Sequence, residues 1–170
     1  VVYDLLPIQL TQIFSSEVSI NYERWLTIVA EQDGVICISQ TVAEEFKSWV
    51  STLDRGHRLP LVVHSFHLGA DISSSVPTVG MAEDSDEILS LISSGYCFLS
   101  VGTIEPRKSQ AQILSAFEQL WDESKDVRLV LIGKQGWMVD RLVSKIRNHS
   151  ELGKRLFWLE GISDEYLEKV

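Results

Sequence analysis

Basic side chains are scarce in these 170 residues: 15 Lys and Arg stand against 24 Asp and Glu, for a net charge of −9. That excludes a nucleic-acid binder working through a broad basic surface. Cysteine is scarcer still. Cys37 and Cys97 are the only two, too few for a disulfide-stapled scaffold, and each lies inside an apolar run, as expected of buried, reduced thiols in a cytosolic protein. No apolar stretch approaches the ~20 residues that a membrane-spanning helix needs. The opening Val1-Val2-Tyr3-Asp4 has no basic region of the kind that starts a secretory signal. Four prolines and ten glycines are too few for a collagen-like or low-complexity chain. Neither G-x-G-x-x-G nor G-x-x-x-x-G-K-[ST] occurs, so neither a nicotinamide-type dinucleotide loop nor a P-loop is expected.

What the sequence does hold is a 45% hydrophobic, 23% charged composition, ordinary for a soluble globular protein. Its positive charge is unevenly spread. Residues 1–85 carry 4 basic and 11 acidic side chains and residues 86–170 carry 11 and 13, so the cations available for an anionic ligand lie mostly in the second half. Short apolar runs predict strands at 35–38, 61–65, 96–101, 128–132 and 155–159. Helical spacing falls between them at 22–30, 41–50, 111–121, 139–148 and 164–170. Ser109 and Ser163 stand where N-caps are expected. Strand–helix alternation of this kind predicts an α/β fold, a parallel sheet with flanking helices built from right-handed βαβ units. Residues 72–87 are small, polar and acidic with no period, which is linker composition. They would divide the chain into 1–71 and 88–170, each short for a full doubly wound sheet. With no starting Met and a last residue inside a helical pattern, the chain is expected to be a piece of a longer protein, parts of two domains.

The stretch with the most chemistry is Val101-Gly102-Thr103-Ile104-Glu105-Pro106-Arg107-Lys108. A strand ends in glycine, a short loop brings two adjacent cations, and a helix follows. In open α/β sheets ligands bind at the carboxyl ends of strands, where helix N-termini also favour anions. Arg107 offers a planar fork and Lys108 a mobile point charge, a pairing suited to a pyrophosphate. Two cations at a helix start are otherwise mildly unfavourable to the macrodipole. A second strand ends alike, at Leu131-Ile132-Gly133-Lys134-Gln135-Gly136-Trp137.

In order and spacing, these stretches together with Leu159-Glu160-Gly161-Ile162-Ser163-Asp164-Glu165-Tyr166-Leu167 resemble the nucleotide-sugar-binding domain of the family 4 (group 1) glycosyltransferases. Those are retaining enzymes of the two-domain, Rossmann-like GT-B fold. The first half fits as well, through Val2-Tyr3-Asp4-Leu5-Leu6-Pro7, Ile36-Cys37-Ile38-Ser39-Gln40-Thr41-Val42-Ala43 and Ser65-Phe66-His67-Leu68-Gly69-Ala70-Asp71. The resemblance implies that 1–71 closes an acceptor-side domain and that 88–170 opens the donor-side domain. Lys108 then matches the lysine on the donor diphosphate, with Arg107, Thr103 and Lys134 beside it. Gly102 and Gly133 would admit the ligand to the backbone, and Gly161 and Ile162 would cradle the nucleobase. The implied substrate is a GDP- or UDP-linked sugar, with a hexosyl group, mannosyl among the candidates, passed to a glycan or lipid-linked glycan acceptor in polysaccharide synthesis. The resemblance implies no metal and no further cofactor, because cations neutralise the leaving diphosphate. The expected setting is the cytoplasm, with peripheral contact at the inner face of the membrane left open.

Several positions depart from the family pattern. Thr103 stands where many members carry a basic residue, Ser109 where glycine usually follows the lysine, and Tyr3 where histidine often precedes Asp4. Asp4 is therefore only a weak catalytic candidate. The paired glutamates around Gly-Phe-Gly-x-Pro are absent, and the bare E-x7-E pairs Glu23/Glu31 and Glu160/Glu168 lack that context. The chain alone is expected to be inactive. Other GT-B activities (an epimerase or a phosphorylase) and a non-enzymatic sugar-nucleotide-binding domain remain alternatives. His64 and His67 have no third metal ligand near them, and Ser39 has no G-x-S-x-G context. Trp25, Trp49, Trp121, Trp137 and Trp158 read as core residues. Trp137, next to a strand-end glycine, is the one that would otherwise wall a site.

Overall fold

The computed structural model describes residues 1–53, 61–69 and 76–170, in two compact units, Val1–Ser73 and Ser74–Val170. Ala70 and Asp71 of the family-like motif, and the start of the expected linker, lie outside the described residues.

In the first unit, β1 (Gly34–Cys37) pairs in parallel with β2 (Val62–Ser65), Gly34 opposite Val62 and Cys37 opposite Ser65. Val2 bridges to β1 on its other side. A short helix α1 (Leu6–Gln9) and a 3-10 turn lead into α2 (Ser16–Ala30), and α3 (Gln40–Ser51) joins the two strands. Both long helices are started by serine hydroxyls. Ser15 accepts from the Val18 N–H and Ser39 from the Val42 N–H, satisfying donors that a helix start leaves unpaired. The buried faces follow helical spacing: Tyr22, Leu26, Val29 and Ala30 on α2, and Ala43, Phe46, Trp49 and Val50 on α3, close over Val2, Val35 and Cys37.

In the second unit, β3 (Tyr96–Val101), β4 (Val127–Ile132) and β5 (Leu156–Leu159) form a parallel sheet in that order. Alternation along β4 places Leu129 and Leu131 on one face, packed with Leu114, Phe117 and Trp121 of α5 (Gln110–Asp122) and Val143 and Ile146 of α6 (Asp140–Arg147). Val130 and Ile132 face the other way, toward Ile92 of α4 (Ser85–Ser93) and Tyr166 of α7 (Asp164–Lys169). Buried on both faces, β4 is a continuous apolar run, as central parallel strands are. Arg128 interrupts that run, with its aliphatic stem buried and its guanidinium tied at three places. Nε donates to the Leu91 carbonyl, Nη2 to Ser94 Oγ and Nη1 to Asp126.

The α/β class and the parallel sheets are as expected, and the local differences have physical reasons. Ser109 is not an N-cap. Its φ of 57° is left-handed and its side chain caps nothing, whereas Ser163 does cap α7 through the Tyr166 N–H. Cys97 is exposed, because β3 is paired on one side only. Trp25 and Trp137 are more than a third exposed, not core, whereas Trp121 is buried. Helix α2 begins at Ser16 rather than near 22. Part of the expected linker is structured. Residues 85–87 belong to α4, and Thr78 and Gly80 are held against α7 by Asp164 and Glu165.

Candidate functional site

The three strands of the second unit end in step, Val101 opposite Ile132 and Ile132 opposite Leu159. Gly102, Gly133 and the 160–162 stretch therefore follow one another along the carboxyl edge of the sheet. Backbone bonds extend that edge beyond the strands. Gly102 N–H donates to the Ile132 carbonyl, Ile104 N–H to Lys134, Gly133 N–H to Leu159 and Gly136 N–H to Ile104. Gly133, at φ 147°, has no room for a side chain, since a Cβ there would fall on the Gly102 carbonyl. The two loops approach each other because that position is glycine. Trp158 Nε1 donates to the Gly133 carbonyl at 2.8 Å and fixes the same loop from β5.

The loop after Gly102 is pinned from the helix behind it. Gln110, fully buried at the start of α5, donates through Nε2 to the Thr103 carbonyl at 3.1 Å and accepts the Glu105 N–H through Oε1 at 3.3 Å. Pro106–Lys108 then forms a single 3-10 turn, and left-handed Ser109 separates it from α5. The two cations thus sit on their own turn and not in the first turn of α5. Lys108 folds back so that its ammonium occupies the space a side chain at Gly102 would fill. Arg107 Nε lies 2.6 Å from Glu105 Oε1, and Lys108 Nζ is 3.9 Å from the same oxygen. The Glu105 side chain is 3% exposed while those of Arg107 and Lys108 are 39% and 33% exposed. A buried carboxylate beneath two half-exposed cations leaves one net positive charge on the turn after β3, and Lys134 adds another cation after β4.

Gly102, Thr103, Arg107, Lys108, Gly133 and Lys134 are thereby assembled on one loop pair, with Thr103 and Lys134 exposed. Gly161, at φ 65°, has open space around it, whereas Ile162 is half-buried against the Tyr166 side of the sheet. Asp4 belongs to the first unit. Its Oδ1 accepts the Leu6 N–H at 3.0 Å, and its carbonyl accepts the Tyr22 hydroxyl at 2.9 Å. Burial, with Asp4 nearby, pushes the Tyr22 hydroxyl up to about 12. Sequence reasoning passed over Glu105, Gln110 and Trp158 as site residues. For Glu105 the available signal was a lone acid two and three places before a cation pair.

Strand-end glycines in register and cations on the loop after β3 thus lie at the carboxyl edge of a parallel sheet, where open α/β folds bind their ligands. The chain belongs to the family described as "Glycosyl transferases group 1", whose profile matches residues 82–170. It is also similar over its whole length to three proteins of Escherichia coli, each named "Serotype-specific mannosyltransferase WbdA", at 43% identity over 175 aligned positions. The chain spans about a fifth of those relatives, 21% of each.

Proposed function

We propose that this chain is part of a retaining hexosyltransferase and that its second unit holds the diphosphate of a sugar nucleotide. In this reading the first unit closes the acceptor-side domain, and residues from 88 onward open the donor-side domain. Lys108 places its ammonium on the diphosphate, Arg107 adds a guanidinium, and Gly102, Thr103, Gly133 and Lys134 line the approach. Gly161 and Ile162 lie toward the nucleobase. As the bond from the anomeric carbon to the phosphate oxygen breaks, its electron pair stays with the diphosphate, and cations beside that oxygen stabilise the growing charge. The acceptor hydroxyl oxygen bonds to the anomeric carbon as the glycosidic oxygen, and its proton passes to the departing diphosphate. The relatives' name favours a mannosyl group, carried on a GDP- or UDP-linked donor and passed to a glycan or lipid-linked glycan acceptor. Among the described residues no helix is long and apolar enough to cross a membrane. The setting we propose is the cytoplasm, with peripheral contact at the inner face of the membrane, where a lipid-linked acceptor would be met, left open. The chain lacks the paired glutamates of the family, so it is expected to bind donor without turning it over.

The observation that carries this reading is the Lys108 ammonium folded over Gly102 at the end of β3. Calorimetric titration with GDP and UDP at low salt tests it. Binding in the range of roughly 10–500 μM is expected, weakened about tenfold or more, ~1.4 kcal/mol, by Lys108→Ala. No binding of either nucleotide to the folded chain overturns the reading.

A further inference from the structure

Glu105 presents a problem for a diphosphate site. Its side chain is 3% exposed and stands directly against the two cations that would meet the ligand. A carboxylate there removes one unit of the positive charge that the ligand needs and repels the ligand itself. Its contacts are also incomplete. Oε1 is 2.6 Å from Arg107 Nε, yet it accepts no well-directed hydrogen bond among the described residues, although buried carboxylates are normally satisfied. Burial at this level is costly unless the charge is matched, and among the described residues the cations set beside it are Arg107 and Lys108.

The position of the group explains why it is there. Its own N–H is tied to Gln110 Oε1, and Gln110 is fully buried at the start of α5, so the carboxylate stands on a fixed base. Arg107 and Lys108 are adjacent, like-charged and long, and among the described residues no other carboxylate lies against both of them on their three-residue turn. We infer that Glu105 is a positioning residue. It holds the Arg107 guanidinium and the Lys108 ammonium together over the end of β3, so that a nucleoside diphosphate meets an ordered pair of cations. The inference rests on the diphosphate reading above.

Charge and position predict opposite signs, which makes the test sharp. If Glu105 acted only through its charge, Glu105→Gln would tighten nucleotide binding. As a positioning residue, its loss weakens binding about fivefold or more in titrations with GDP and UDP, although the site gains a positive charge. The effect must also run through Arg107. In an Arg107→Ala background, Glu105→Gln should weaken binding clearly less than it does in the wild-type chain, because only Lys108 is left to position, an outcome that a merely structural role for Glu105 would not give. Thermal denaturation of each variant shows that it is folded. Should Glu105→Gln fail to fold, Glu105→Asp carries the same comparison, since it keeps the charge and withdraws it by one methylene. Unchanged or tighter binding by the Glu105 variants, or a full effect persisting without Arg107, overturns the inference. If wild-type chain binds and Lys108→Ala weakens it while the Glu105 variants do not, only this inference falls. If wild-type chain binds neither nucleotide, the diphosphate reading falls with it.

Discussion

Ser109 holds φ 57° between the cation turn and α5, a conformation that costs an L-residue roughly 1–2 kcal/mol and glycine almost nothing. Its side chain makes no capping bond in return. Glycine also gains freedom in the unfolded chain, which takes back roughly 0.5–1 kcal/mol. Ser109→Gly is therefore expected to stabilise the second unit by about 0.5–1 kcal/mol, measured as a rise in the urea midpoint at unchanged slope. The sequence showed a serine ahead of a helix, and that pattern is shared by caps and by left-handed joints. A true cap needs extended backbone, and nothing in the residue itself reveals which conformation it adopts. Gly102 and Gly133 were legible for the converse reason, since glycine at a strand end before a sharp turn has few other uses. Glu105 was not, because its burial depends on Gln110 and Ile104 closing the loop behind it.

Helices α5 and α6 are joined at their far ends by charge. Glu118 Oε2 accepts from Lys145 Nζ at 2.6 Å and Oε1 lies 3.1 Å from His149 Nε2, while the His149 ring meets Trp121 edge-on at 5.5 Å. Burial raises the Glu118 carboxyl, but the hydrogen bonds and charges of Lys145 and His149 together outweigh it, and the group sits below the ordinary carboxylate range. A carboxylate held low in the folded state adds stability above its unfolded value near 4.5, and that contribution is lost as pH falls through the folded value. Glu118→Gln is thus expected to cost about 1 kcal/mol at pH 7 and progressively less as pH falls from 4.5 toward 3, as the folded carboxyl takes up its proton. Chemical denaturation across that range checks it, and an equal loss at both ends would refute it. The elements themselves were largely readable, because apolar runs and helical spacing mark strands and amphipathic helices whatever the context. Helix α4 was missed because it starts in the acidic segment Glu83-Asp84-Ser85-Asp86, whose composition mimics a linker. The first turns of α2 were missed because Ser16, Glu17 and Ser19 are polar and only Ser15 signals a start.

At the scale of the molecule, β3 is anomalous. Tyr96, Phe98, Leu99 and Val101 are all exposed, Tyr96 by 81%, along a strand with one paired neighbour. Its sequence is as apolar as that of β4, so an edge and a centre could not be told apart beforehand, and the expectation for Cys97 failed with it. An exposed apolar edge of this kind templates pairing with other chains. The 170-residue chain is expected to self-associate with increasing concentration in sedimentation velocity, and Leu99→Lys to shift it toward monomer. Concentration-independent monomer for both would contradict this. The site was legible to the extent that its cations and glycines lie in one continuous stretch. What ties that stretch down comes from α5 and β5, and such long-range support leaves no local trace.

Arg128 gives the second unit a sense of time. The carbonyl of Leu91 near the end of α4 receives its hydrogen bond from a residue 37 positions later in the chain, and Ser94 is held by the same guanidinium. A helix of nine residues is marginal by itself in water. Although α4 emerges first, it is secured only once β3, α5 and β4 have come together, so the earliest segment of the unit is among the last to be locked. Amide exchange should find α4 opening well before β4 does.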